Sequence, residues 1–387
     1  MDPWVRDAAA EIARRAEAEL EALVGVSSPS GDVAGAEEAI AIARALLPAG
    51  VTVQRPPCSS GGHADDLLAT VAGTGQGRVV LLGHVDTVVG HDDHRALSAD
   101  GDRLYGSGAI DMKGGVVLAL GVLRALAAEP SRFAEAALLL VCDEEWRAAP
   151  FRHGERFAGY DACLCFEAGQ LDLSDGVDEV IVRRKAAGTL RVTARGRAAH
   201  AGSAPDRGAN ALLALAEVAR TVHALHDPDG PQRLTAVPTV VRAGGAFNVV
   251  PADGALTCDL RADSARSFDT VLATVPERSG EVRIEAEMVR VWPGMDARAR
   301  TAPVLDAAAR RVGRAIRAGS RGGASDASHM AAVVPLTIDG LGPRGSGAHA
   351  PVECVLRSSR GPRAEIALAV ALSALESRPA AAPASAG

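Results

Sequence analysis

A chain of 387 residues exceeds the roughly 250–300 at which one hydrophobic core stops growing, so two domains are expected. The formal charge of −7 and the lack of a basic stripe speak against a nucleic-acid partner, which would need cations along its phosphate backbone. No stretch approaches the ~20 uninterrupted apolar residues of a membrane span, and Met1 to Arg14 carries acids and lacks an apolar signal core, so a cytoplasmic protein is expected, with no membrane partner.

Arg6 to Leu23 and Ala36 to Leu47 place Ala, Ile and Leu at helical spacing on either side of the turn-forming Ser27 to Gly31. Leu67 to Val71 and Arg78 to Leu82 read as strands. Gly73-Thr74-Gly75-Gln76-Gly77 between them is followed by no helical pattern, so a hairpin turn is expected rather than a nucleotide loop. Val79 to Leu82 and Ala136 to Cys142 are continuous apolar runs, as strands covered on both faces must be. Gly114 to Ala128 between them is helical. This βαβ alternation predicts an α/β fold with a parallel sheet.

After Asp178 the texture changes. Strands are expected at Thr189 to Arg195, Thr235 to Arg242, Ala255 to Arg261 and Glu281 to Val291, with helices at Asn210 to Leu225 and Ser267 to Thr274. That order makes a small two-layer α+β module with an antiparallel sheet, inserted into the first domain. The chain returns through a helix near Asp296 to Val304, a strand at Val333 to Ile338 and a helix at Ala364 to Leu375, and it ends in an Ala/Pro/Ser tail expected to be disordered. No internal repeat is present. The six cysteines form no CxxC pair, and Cys163 and Cys165, two apart in an apolar strand, read as buried free thiols.

Chemistry-bearing residues stand at the ends of these apolar runs and inside glycine-rich turns. His84 ends a buried strand with Asp86 two residues on, a spacing that lets the acid orient the imidazole nitrogen facing away from a metal. Asp111 lies among glycines at a helix start, where the backbone can approach closely and a carboxylate has two oxygens for two cations. Glu144 and Glu145 follow Asp143 just past another strand, so that one can bind metal while the other handles protons. Glu167 ends a further apolar strand, and His349 is flanked by glycines near the chain's end. One parallel sheet can bring His84, Asp111, Glu145, Glu167 and His349 to a common edge and hold two divalent cations there. His91-Asp92-Asp93-His94 also looks metallophilic, but it lies in a polar loop and is read as solvated surface, as are His63, His153, His223, His226 and His329.

In order and local context these motifs resemble the M20 metallopeptidase family, which includes glutamate carboxypeptidase, aminoacylase, succinyl-diaminopimelate desuccinylase and acetylornithine deacetylase, and most resemble the glutamate carboxypeptidase branch. The likeness runs from the first helices to the last. It implies a mostly parallel-sheet catalytic domain at 1–181 and 296–378, an inserted lid and dimerisation domain at 182–295, and a disordered tail at 379–387. It also implies two zinc ions, with cobalt or manganese able to substitute. His84 and Glu167 would hold one ion, Glu145 and His349 the other, and Asp111 would bridge them. Asp86 would orient His84, Glu144 would be the general base, and Asp111-Met112 becomes a candidate cis peptide.

In the inserted segment, Gly196-Arg197-Ala198-Ala199-His200-Ala201-Gly202 resembles the family's lid motif, whose histidine helps polarise the scissile carbonyl, commonly across a dimer interface. Phe247-Asn248-Val249-Val250-Pro251 and Asp259-Leu260-Arg261 resemble the stretches that supply Asn248 and Arg261 to the substrate, and Gly322 to Asp326 resembles a substrate loop. The forked donors of Arg261 suit a free carboxylate. Two departures stand out: many relatives have Gly-Ser where this chain has Trp146-Arg147, and Pro with a hydroxyl residue where it has Ala168-Gly169.

The implied reaction is hydrolysis of an amide in an N-acyl amino acid or short peptide with a free carboxylate. Two cations held there would bring the pKa of a water toward ~7, Glu144 would move its proton, and the resemblance implies a homodimer. The alternative is a catalytically silent, metal-dependent binding protein on the same fold. Glu144 weighs against that, since a pure binder needs no proton carrier.

Overall fold

The computed structural model describes residues 1–170 and 176–377; the expected tail at 379–387 lies outside the described residues. Two compact units divide the chain. Met1–Arg183, Asp296–Ser320 and Ser325–Gly387 form the first, and Arg184–Met295 with Arg321–Ala324 the second.

Helices α1 (Pro3–Val24) and α2 (Val33–Ala45) both begin at aspartate caps, Asp2 accepting from the amides of Trp4 and Val5 and Asp32 from that of Gly35. Strands β1 (Thr52–Gln54), β2 (Leu67–Ala72), β3 (Arg78–His84), β4 (Ser98–Asp100) and β5 (Arg103–Tyr105) lead to α3 (Gly114–Ala127). Strands β6 (Glu135–Val141), β7 (Ala162–Cys165) and β8 (Asp178–Arg184) come next. The second unit holds β9 (Ala186–Arg195), α4 (Ala211–His223), β10 (Thr235–Ala243), β11 (Asp253–Ala262), α5 (Arg266–Ala273), β12 (Arg278–Ser279) and β13 (Val282–Trp292). The chain then runs through β14 (Met295–Asp296), α6 (Arg298–Val312), β15 (Ile316–Arg321), α7 (Asp326–Met330), β16 (Thr337–Ile338), β17 (Gly345–Ser346), β18 (Cys354–Leu356) and α8 (Arg360–Glu376).

The central sheet of the first unit has the order β1-β2-β6-β3-β7-β16. Strand β3 runs parallel to β6 and β7, and β7 parallel to β16, while β2 is antiparallel to both its neighbours. Because β3, β6 and β7 point the same way, their carboxyl ends share one edge, the position where open α/β sheets place their ligands. Register sets His84 opposite Val141 and Leu82 opposite Cys165, so the segments beyond the three strands emerge side by side. All of β7, and all of β3 and β6 beyond their first residues, are buried, which accounts for their uninterrupted apolar runs.

The expected hairpin between β2 and β3 does not form, because β6 lies between them. The glycines serve packing instead. The amides of Gly73 and Gly75 donate to the carbonyls of Ala134 and Phe133, and a Cβ on Gly73 would sit 2.1 Å from the carbonyl oxygen of Phe133. Local turn chemistry looks the same for a hairpin and for a close crossing, so pattern alone misread it. The expected strand from Val333 shrinks to β16, because the amides of Val333 and Val334 close on the carbonyl of Met330 at the end of α7.

The second unit is a five-stranded antiparallel sheet, β10-β11-β9-β13-β12, carrying α4 and α5. It has its own core, including Leu190, Val192, Leu215, Val218, Leu256 and Phe268. One face of β9 alternates into that core, the period-2 pattern of a half-covered sheet.

Several histidine readings need correction. His153 is buried, its Nε2 lying 2.7 Å from Asp66 Oδ2. His63, His94, His226 and His329 are half-buried, the last stacked on Phe151 with centroids 5.3 Å apart. Loop polarity reports the neighbours in sequence, whereas burial depends on the neighbours in space. His91 to Asp93 form an exposed short turn, and His91 Nδ1 lies 2.8 Å from Ser27 Oγ.

Candidate metal centre

His84 at the end of β3, Asp111 before α3, Glu145 after β6, Glu167 after β7 and His349 beyond β17 converge in the first unit. They form two groups that share Asp111: His84, Asp111 and Glu167, and Asp111, Glu145 and His349. The candidate ligand atoms within each group lie within 4.8 Å of one another. His84 Nε2 is 3.3 Å from Asp111 Oδ1 and 3.8 Å from Glu167 Oε1. His349 Nε2 is 3.1 Å from Asp111 Oδ2 and 3.4 Å from Glu145 Oε2. The two oxygens of Asp111 thus face different histidines.

Backbone geometry builds this arrangement. The chain from Ala109 to Lys113 is not regular helix: Asp111 has φ −124° and ψ 90°, and its bond to Met112 is cis. The amides of Gly108, Ile110 and Asp111 donate to the buried carboxylate of Glu353 at 2.9, 2.9 and 3.0 Å, which pins the loop from beneath. Helix α3 then starts against the end of β7, so close that a Cβ on Gly115 would lie 1.8 Å from the carbonyl of Phe166. His349 holds φ 65°, an uncommon left-handed conformation for a non-glycine residue.

Asp86 has a wider part than the spacing suggested. Strand β3 ends at His84, and His84 Nδ1 sits 3.0 Å from the Asp86 carbonyl and 3.4 Å from its carboxylate. The carboxylate accepts the amides of Glu144 and Glu145, both at 3.1 Å. Asp86 therefore braces the histidine and the acidic turn together.

The electrostatics reflect several buried carboxyl and imidazole groups in close contact. Burial pushes the Glu144 carboxyl well above its ordinary range and that of Glu145 upward. Burial also opposes charge on Asp111, but hydrogen bonds from His349 and His84 outweigh it and hold the carboxyl low. His349 is raised to about 10 by its bonds to Asp111 and Glu145. His84 is raised although burial works against its charge. Glu145 Oε1 is buried without a hydrogen-bond partner. Two imidazoles and three carboxylates suit a borderline divalent ion such as zinc, and an orphaned buried carboxylate oxygen among them fits that use.

In the second unit His200 and Asn248 are exposed and close together: His200 pairs with Val249 in an isolated bridge, and the Ala201 amide donates to the Asn248 carbonyl at 2.9 Å. His200 Nδ1 accepts the amides of Gly202 and Ser203, both at 3.1 Å. That fixes the neutral ring as the Nε2–H tautomer, a donor turned outward. Arg261 lies on β11 and grips Asp259 with Nε and Nη2, both at 3.0 Å, so its fork is already engaged. In the first unit Ser325 caps α7, and Asp326 is buried against Arg147.

Sequence reasoning missed Glu353 and Arg147 as members of this assembly. Glu353 carried a faint signal, an acid four residues after His349 on the edge of an apolar run. Trp146 is 60% exposed, while the neighbouring Arg147 is wholly buried.

Comparison with known proteins supplies the context. The model of Peptidase family M20/M25/M40 matches residues 80–373. The chain is 28% identical over 352 residues to carboxypeptidase G2 of Pseudomonas sp. (strain RS-16), covering 85% of this chain and 82% of that protein. It is 28% identical over 358 residues to succinyl-diaminopimelate desuccinylase of Afipia carboxidovorans, covering 82% and 88%. In fold it is similar to the Bacillus subtilis YXEP protein, described as a dinuclear metal binding peptidase from the M20 family, with a TM-score of 0.71 at 14% identity over 95% of this chain and 99% of that one.

Proposed function

This chain belongs to peptidase family M20/M25/M40 and is a metal-dependent hydrolase, and from that premise we propose that it cleaves an amide in an N-acyl amino acid or short peptide bearing a free carboxylate. His84 and Glu167 would hold one zinc ion, Glu145 and His349 a second, and Asp111 both. The observation that carries this reading is the divergence of the Asp111 oxygens toward two different histidines. When bound, the cations supply Lewis acidity and bring a water's pKa toward ~7.

The chain's own residues do the rest. Glu144 belongs to neither ligand group, yet it is buried beside them, which suits a carboxylate that takes a proton from water and returns it to the leaving amine. His200 Nε2–H and Asn248 would donate to the scissile carbonyl. Arg261 would exchange Asp259 for a substrate carboxylate, a bidentate partner of the same geometry. The test is a panel of N-acyl amino acids and dipeptides assayed with zinc, cobalt and manganese. No metal-dependent cleavage of any of them would overturn the reading.

Metal binding should rise steeply with pH. In the metal-free protein His349 keeps its proton up to about pH 10, and His84 is held above its ordinary value, yet both must be neutral to ligate. Each proton released makes apparent affinity about tenfold higher per pH unit. Chelator competition between pH 6 and 9 measures the slope. A flat profile would show that neither histidine gives up a proton to the metal.

We further propose a homodimer through the second unit. Among the described residues strand β10 pairs only with β11, and its exposed Val240 and Val241 line an apolar hollow with exposed Leu212 of α4. An open, apolar edge strand is a template for pairing with a second copy. Light scattering should give twice the 39.6 kDa of the chain, and Val241→Lys should halve it. A wild-type monomer at micromolar concentration would refute this. No helix among the described residues is long and apolar enough to cross a membrane. Six free cysteines support the proposed cytoplasmic setting.

A further inference from the structure

We infer that Arg147 is a positioning residue for Glu144, its guanidinium tying the acidic turn after β6 to Asp326 at the start of α7. The inference rests on the reading of Glu144 as the general base. Arg147 is wholly buried, with Nε 3.6 Å from Asp143 Oδ1, Nη2 2.5 Å from Asp326 Oδ1, and Cζ 4.9 Å above the Phe151 ring. Asp143 also accepts the Ser60 amide at 2.8 Å. At the other side of the turn, the Asp86 carboxylate accepts the amides of Glu144 and Glu145. Five consecutive residues, Asp143 to Arg147, are thereby fastened from two directions, with Glu144 in the middle.

Burying a guanidinium is unfavourable, and an acidic turn that merely faced solvent would not require it. What it supplies is geometry. A planar fork can span two carboxylates on separate segments and hold them at a set distance, which a lysine ammonium on a flexible stem does poorly. A general base must stay within hydrogen-bond reach of the proton it moves, and displacement by about 1 Å can lower turnover ~100-fold. Loss of the tether should therefore act on turnover more than on substrate binding.

The test compares zinc-loaded wild-type protein with Arg147→Lys, with the charge-balanced double variant Arg147→Met/Asp326→Asn, and with Glu144→Ala. Metal content, melting temperature, kcat, KM and hydrogen exchange at the Glu144 and Glu145 amides are measured for each. Both Arg147 variants should keep two metals per chain and a KM within about twofold, while kcat falls at least tenfold. Exchange at the two amides should speed up without change in β3 or β6. If the double variant does not fold, Arg147→Lys alone decides the matter. Wild-type kcat and exchange in a folded, metal-loaded Arg147 variant overturn the inference, as does a kcat loss that merely follows metal loss. Full turnover in Glu144→Ala would instead sink the underlying assignment of the base.

Discussion

Glu144→Gln should retain both cations and the fold while kcat falls by about 10²–10⁴-fold, the range attributable to one positioned proton carrier. Glutamine keeps the shape of the side chain and loses the ability to accept and return a proton. Because Glu144 lies outside both ligand groups, neutralising it removes no ligand. It also relieves repulsion, since burial and the neighbouring Glu167, Asp326 and Glu145 all oppose its charge. Metal affinity should thus hold or rise as turnover collapses. Metal analysis and steady-state kinetics on the same preparation check this, and a variant that is both loaded and fully active would exclude Glu144 as the base.

Asp111→Ala should have the opposite signature, with metal and activity lost together. Its two oxygens serve both groups, so the substitution removes a ligand from each and leaves His84 and His349 without their shared acid. Outer-shell partners of a metal commonly cost ~10–100-fold in affinity or activity when removed, and a shared ligand should cost more. The expected outcome is fewer than one tightly held ion per chain and turnover at background. Without the Asp111 hydrogen bond, the largest of those raising it, His349 should also titrate below about 10 in the metal-free protein. NMR of the imidazole follows that shift. Retention of two ions at wild-type affinity would remove Asp111 from its proposed place.

Strand ends and glycine-flanked acids made much of this centre legible. Val79 to Leu82 is apolar because both faces are covered, so the residue that breaks the run, His84, marks the edge. The same logic located Glu145 and Glu167 after β6 and β7. It failed for Glu353 and Arg147, whose partners are 245 residues (Gly108) and 179 residues (Asp326) away, because a carboxylate bonding distant amides has no local period. It failed likewise for Gly73 to Gly77, where close approach to a neighbouring loop and a tight hairpin call for the same residue.

Local pattern, by itself, determined the principal strands and helices and which polar residues stand at their ends, since backbone propensity and burial period act over a few residues; short strands such as β4, β5, β17 and β18 carried too few residues to show a period. Tertiary structure alone decided that β6 lies between β2 and β3, that the oxygens of Asp111 diverge toward His84 and His349, and that Arg147 is buried between Asp143 and Asp326. These depend on pairings across tens to hundreds of residues, where the choice is made by packing and charge compensation in space.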